Sequence, residues 1–389
     1  MSKSSKPIAR LLFLDDPRTD RRIKNFLTFF TDQGYEVELI FSTPGKSGIE
    51  SNINFSYKGV KTKQLILQHI KGARMFLQFD KLLQQTLANE APCDILFAGD
   101  LYSLKTAVYF KNKGRTKQVF YDARELYTEL PNVANSPLKK WFWKRWERIG
   151  LKRADLVIVT APDDSPAIKD VHGLLPPSIV LRNFPEQQEY KIGDYLHKRF
   201  SIPNEKKIFV YVGGLQRERG LEKMVEVMAT LKNKAVFVMI GDDELDKKLH
   251  ERIKDLHLES TVFFHSSIES EQVIDVLSSA DIGISLIEQH SKSYELALPS
   301  KIFEYMLAGL PVVSSLLKQV KDLLSDTEGI YFADPDNTED LIRSCNKALL
   351  ASEDRALRHR INANANTNYT FETDSKVLRE FLNRNPTVS

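Results

Sequence analysis

The sequence predicts an α/β protein built from two doubly wound, Rossmann-like domains in succession, and three observations carry that prediction. Short apolar runs alternate with longer segments whose apolar residues recur at helical spacing, the pattern of a parallel sheet covered by helices on both faces. The runs fall into two series, and the polar, turn-rich stretch at 185–204 separates them. With 389 residues, each domain can bury a core of its own.

The first series is 10–14, 36–41, 94–97, 118–121, 155–159 and 178–181, and the second is 207–212, 235–240, 261–264, 281–286, 311–313 and 329–332. From Asn337 onward only helical patterns remain. A formal net charge of +3 is slight, so no general affinity for nucleic acid follows from it. Cys93 and Cys345 stand far apart without metal-like spacing, so neither a disulfide framework nor a zinc site is expected and a reducing compartment is the default. No Asp-x-Asp triad or His pair stands out, Asp242-Asp243 reads as a helix start, and no essential metal or cofactor is expected. The apolar run 8–14 stops at Asp15-Asp16 without a cleavage pattern, and no segment approaches the roughly 18 residues that span a bilayer. The expected location is cytoplasmic, at most on a membrane surface.

The chemistry concentrates in 281–315, which reads as strand, loop, helix, strand. Ser300 stands at an N-cap position, 301–308 is rich in helix formers, and Gly309 and Pro311 end the helix. Backbone amides near Ser300 and Lys301 then face an anion beyond the carboxyl edge of the sheet. Glu304, one turn on, can accept from a sugar diol, so the pair suits a nucleotide. Earlier in the same domain a strand runs through Gly213-Gly214 toward Arg217 and Arg219. Paired glycines allow close backbone approach, and an arginine fork clamps a diphosphate.

These stretches resemble the donor-binding signature of retaining GT-B glycosyltransferases of the family 4 type. That family often carries two glutamates a fixed interval apart before a Met-Ala-x-Gly-x-Pro-Val-Val run. Glu304 matches the second, which holds the ribose; the first falls at Leu296, with Glu295 one position off. The Leu-Pro-x-Lys-x-x-Glu-Tyr-Met variant fits 298–306 better. In the Gly-Gly loop Arg219 takes the place of the family's lysine and Gly214 that of its arginine. The resemblance implies the GT-B architecture, two Rossmann-like domains facing a central cleft: 1–187 on the acceptor side, 188–368 binding the donor, and 369–389 crossing back onto the first. Periodicity alone equally allows that last segment to cap the second domain.

In the first domain Arg22 falls on the family's opening-loop arginine, a candidate for phosphate or acceptor binding, or else part of a solvated basic helix start. Tyr121-Asp-Ala-Arg-Glu125 resembles a segment whose histidine faces the reacting sugar. Arg124 takes that position and, always protonated, suits charge stabilisation on the leaving diphosphate, while Glu125 suits a base or hydroxyl acceptor. His265 is a candidate base contact. All three tryptophans lie in 139–148, where Ser136-Pro137 opens a helix. Trp141, Trp143, Lys144 and Arg145 suit an anionic membrane surface, and packing of the aromatic residues into the domain is the alternative. The combined expectation is a glycosyltransferase acting on a nucleotide diphosphate sugar and a glycan or lipid-linked acceptor. A sugar-nucleotide epimerase and a non-catalytic partner subunit are the rivals.

Overall fold

The computed structural model describes residues 6–43, 53, 55–68, 72–189, 191–242, 247–288 and 291–386; Asp243 and the first five residues lie outside them. The chain forms two compact units, Met1–Arg182 with Asp374–Ser389, and Asn183–Thr373. The first carries seven strands, β1 (Ile8–Phe13), β2 (Glu36–Phe41), β3 (Lys61–Gln64), β4 (Cys93–Ala98), β5 (Thr116–Ala123), β6 (Leu156–Val159) and β7 (Ser178–Val180). All pair in parallel, in the order β3-β2-β1-β4-β5-β6-β7. Sequence reading misses β3, because Lys-Thr-Lys-Gln has no apolar residue and three of its four side chains are exposed. It pairs only with β2, in register Leu39 with Thr62, and an edge strand that polar gains little from burial.

The second unit repeats the plan with β8 (Lys207–Val212), β9 (Ala235–Ile240), β10 (Val262–His265), β11 (Ile282–Ser285), β12 (Val312–Ser315) and β13 (Ile330–Ala333). Their order is β10-β9-β8-β11-β12-β13, so the winding reverses between β8 and β11. Alternate residues serve opposite faces. Ile208, Val210, Val236 and Val238 join one buried cluster with the helix Lys301–Leu307. Phe209, Tyr211, Phe237 and Met239 join another with the helix Leu221–Leu231. This two-sided burial is why the strands read as continuous apolar runs rather than alternating ones.

The unit boundaries follow from particular contacts. Phe184 packs on Phe303 at 4.4 Å and Tyr369 at 5.8 Å, and the Phe371 amide donates to the Pro185 carbonyl, so both passes of chain begin in the second unit. Arg182 pairs with Asp374 at 2.8 Å, and Phe381, in the helix Lys376–Arg384, lies 5.7 Å from Phe120 of β5. The passage between units thus falls at 182/183 and 373/374.

β8 and β11 pair only through Ile282–Phe209 and Gly283–Val210. Beyond that point the Tyr305 hydroxyl takes over, accepting from the Val212 amide at 3.0 Å and donating to the Ile284 carbonyl at 3.0 Å. Its ring lies over Gly283, where an added Cβ would stand 2.3 Å from ring carbon. Tyr305→Phe leaves a buried amide and carbonyl unpaired, so denaturant unfolding should show a loss of ~1–3 kcal/mol; unchanged stability would mean that the bridge carries no weight.

Candidate functional site

The reversal between β8 and β11 places several groups together at the carboxyl edge of the second sheet. Gly213, immediately after β8, has φ +130°, and Gly241, after β9, has φ +156°. A Cβ on Gly241 would lie 1.9 Å from the Gly213 carbonyl oxygen, so the two strand ends touch backbone to backbone. Gly214 differs from the expectation of paired close approach. It is exposed, and an added Cβ would meet only the Gln216 side chain at 3.5 Å, so no steric demand keeps it a glycine.

Lys301 reaches across this turn, its Nζ 3.7 Å from the centroid of the Tyr211 ring. The guanidinium of Arg219 lies 5.1 Å over the ring of Tyr294, in the short helix Lys292–Glu295 that ends at exposed Glu295, just before Leu296, where the family's first glutamate is absent. Among the described residues neither cation has an ion-pair partner. Lys301 is only half-buried by area, yet loss of hydration, and then repulsion from Arg219, push its ammonium well below the ordinary lysine range, with Glu304 acting in the opposite direction. Burial likewise pushes the Tyr211 phenol up to about 12, and its hydroxyl donates to the Gly214 carbonyl at 2.9 Å.

The helix runs Lys301–Leu307 and Gly309 follows with φ +69°, close to expectation. Its opening is different. Ser300 is itself helical and makes no side-chain cap bond. The amides of Ile302, Phe303 and Glu304 already bond the carbonyls of Pro299 and Ser300 at 3.0–3.3 Å. With those amides engaged, the Ser300 hydroxyl and the two cations are the groups that could meet an anion at this helix start. Glu304 is half-buried one turn further on. Exposed Arg217 lies two residues from Arg219 in the same loop. His265 ends β10, and its ring nitrogens meet the Tyr195 hydroxyl at 2.9 Å and the Ser266 carbonyl at 2.7 Å. A nucleobase would have to displace one of these bonds.

The first sheet reverses between β1 and β4, and its carboxyl edge carries an ion network that corrects two expectations. Arg22 is buried and spends its fork on Asp122, with contacts of 2.6 and 2.8 Å, while Nη1 donates to the Leu181 carbonyl. It holds Asp122 in place and, being buried, does not present its fork to a phosphate in solvent. Arg124 bonds Asp20 at 2.6 Å and Asp122 at 3.4 Å. Burial opposes its charge, but Asp20 and Asp122 more than restore it, so the guanidinium stays protonated with its charge already matched. Glu125 beside it is exposed. Sequence reading missed the carboxylates that organise this edge. Asp100 caps the helix Leu101–Asn112 and accepts from the Leu14 amide at 2.7 Å, tying the loop after β1 to β4. Desolvation raises the carboxyls of Asp100 and of Asp15, although Asp15 still reaches solvent. A carboxylate directly after the first strand of a doubly wound sheet was the available signal.

The tryptophan helix is Pro137–Leu151, with Pro137 in its first turn. Trp141 is 64 % exposed, and Lys144 and Arg145 are exposed beside it. Trp143 does not join them. It packs edge-on against Phe76, Tyr102 and Phe142 at 5.0, 5.3 and 4.9 Å, because the helical turn points it inward. Trp146 is buried, and Glu147 anchors the helix by accepting from Tyr121 at 2.7 Å and pairing with His172 at 2.9 Å.

Residues 194–368 match the family described as glycosyl transferases group 1, so the second unit carries a domain of that family. The chain is 26% identical over 150 residues to the putative teichuronic acid biosynthesis glycosyltransferase TuaC of Bacillus subtilis, covering 39% of this chain and 34% of that protein. It is 23% identical over 194 residues to the putative colanic acid biosynthesis glycosyl transferase WcaI of Escherichia coli, covering 49% and 46%. It thus matches less than half the length of either relative. Among solved structures, Anabaena Alr3699/HepE in complex with UDP and glucose aligns with a TM-score of 0.72 at 15% identity, over 97% of this chain and 100% of that one. Both sheets therefore belong to the GT-B fold.

An anion seated between Lys301 and Arg219 should favour the charged form of the lysine. Binding of inorganic pyrophosphate is then accompanied by proton uptake, and affinity falls as pH rises above the depressed Lys301 pKa. Calorimetry in buffers of different ionisation enthalpy measures the uptake; none, with binding intact, would place the anion elsewhere.

Proposed function

We propose that the protein is a glycosyltransferase that moves a sugar from a nucleotide diphosphate donor, held by the second unit, to a glycan or lipid-linked acceptor, with retention of anomeric configuration. The observation that carries this reading is the pair of cations without ion-pair partners among the described residues, Arg219 and Lys301, near the Gly213 turn, with Glu304 one helical turn away. Two positive groups held close together are costly in the free protein and favourable once a diphosphate lies between them. They supply the countercharge for the leaving diphosphate, and the reading needs no metal. Glu304 accepts from the ribose hydroxyls, and Gly213 and Ser300 border the phosphates. The UDP and glucose in HepE support a uridine nucleotide sugar, and the names of TuaC and WcaI support a place in polysaccharide biosynthesis.

In the first unit Glu125 and Asp15 are the groups that meet the acceptor, and Arg124 positions Asp20 and Asp122 around them. Arg124 remains charged at physiological pH and cannot serve as a base. No described helix is long and apolar enough to cross a membrane. Trp141, Lys144 and Arg145 instead present an aromatic and basic face suited to the inner surface of an anionic membrane.

A panel of nucleotide sugars, assayed with and without acceptor, separates the readings. Transfer supports the glycosyltransferase; hydrolysis or isomerisation without acceptor points to an epimerase, and binding without turnover to a partner subunit. Glu304→Ala should weaken UDP binding by ~1.5–3 kcal/mol, the worth of a charge-assisted hydrogen bond. Arg219→Ala should lower kcat more than it raises KM. The peripheral location predicts binding to phosphatidylserine vesicles that weakens as salt rises. Trp141→Ala should loosen it further, and a folded protein that ignores such vesicles at low salt would rule it out.

A further inference from the structure

One cavity of the first unit has no part in the chemistry described so far. It measures about 490 Å³, within the range of small-molecule sites, and lies between the helix Gly72–Asn89, the start of the helix Leu101–Asn112, and the tryptophan helix. Its walls are Phe76, Tyr102, Tyr127, Leu138, Phe142 and Trp143, and among the described residues Lys139 is the one charged residue lining it. The rings hold one another: Phe76 stacks on Tyr102 at 4.3 Å, and Trp143 stands edge-on to both. Walls braced in this way keep their shape without a filler.

The two ends of the cavity differ. At the outer end Leu138 is 82 % exposed. Lys139, Lys144, Arg145 and Arg148 are exposed on the same helix and have no ion-pair partner among the described residues. The helix's one acidic residue, Glu147, is buried against Tyr121 and His172. The mouth is thus apolar, and the exposed charges of this helix beside it are positive, Lys140 being paired with Glu129. At the inner end Tyr102 and Tyr127 belong both to the cavity wall and to the acidic edge of the first sheet. Desolvation, and then Asp100 for both, raises their phenols, with Glu125 adding to each.

We propose that this cavity binds the hydrocarbon chain of a lipid-linked acceptor whose anionic group rests on Lys139. The chain enters past Leu138, and the acceptor's sugar-receiving hydroxyl lies beyond the tyrosines, at Asp15 and Glu125. The charge of the rim selects an anionic lipid over a neutral one, and the aromatic walls favour an unbranched or isoprenoid chain over a polar glycan. The inference rests on the glycosyltransferase reading and names its acceptor class.

Dodecyl phosphate below its micellar concentration is the probe, and quenching of tryptophan fluorescence reports its binding. Saturable binding is expected, with dodecyltrimethylammonium and inorganic phosphate each at least about tenfold weaker. Leu138→Glu, at a position too exposed to threaten folding, should weaken dodecyl phosphate by about tenfold or more. Leu350→Glu, at a comparably exposed position of the second unit, should leave it unchanged, and UDP affinity should be the same in all three proteins. Equal binding of the anionic and cationic amphiphiles, or of the wild type and Leu138→Glu, overturns the proposal, as does the absence of saturable binding while UDP still binds. A wild type that fails to bind UDP would instead count against the donor reading.

Discussion

The bond that the candidate site of the second unit depends on is the bridge made by Tyr305. Where β8 and β11 part, each loses its neighbour, and a buried amide and carbonyl would be left without partners. One phenol satisfies both, at 3.0 Å each. It can reach them only because Gly283 offers no Cβ beneath the ring. The same helix that delivers Tyr305 carries Lys301 and Glu304, so the hydroxyl that seals the sheet also fixes the register of the site. A short helix of seven residues is held rigid by the strands it closes rather than by its own turns.

Electrostatics separates the two units more sharply than their similar topology suggests. In the first, positive groups at the sheet edge are matched inside the protein, Arg22 by Asp122 and Arg124 by Asp20 and Asp122. Removing one partner of such a buried pair leaves a charge that the interior cannot accommodate, so this network is structural before it is anything else. In the second, Arg219 and Lys301 rest on aromatic faces without a carboxylate of their own among the described residues. A ring's quadrupole tolerates a cation without neutralising it, which leaves charge available to a ligand.

The tryptophan helix shows how one segment serves two environments. Its inward face supplies Phe142, Trp143 and Trp146 to an aromatic cluster, and its outward face carries Trp141 and the basic residues. Glu147 holds the division by tying the helix to Tyr121 of β5, one residue before Asp122.

Much of this was legible in the sequence. The doubly wound class, twelve of the thirteen strands, the helix after residue 300 and the grouping of Gly213, Arg219, Lys301 and Glu304 all follow from patterns that are local: apolar runs, helix stops and a turn glycine. Local patterns carry such information because burial on both faces of a parallel strand demands continuous apolar residues wherever the strand lies. What tertiary structure decided was which charges are spent and which remain. Arg22 lies in the first turn of a helix and Arg219 just ahead of one, and nothing nearby in sequence distinguishes them. Asp122 stands one hundred residues from Arg22 and consumes it, whereas Arg219 meets a ring. The difference between a brace and a binding group is set by partners distant in the chain, and sequence order alone cannot display them.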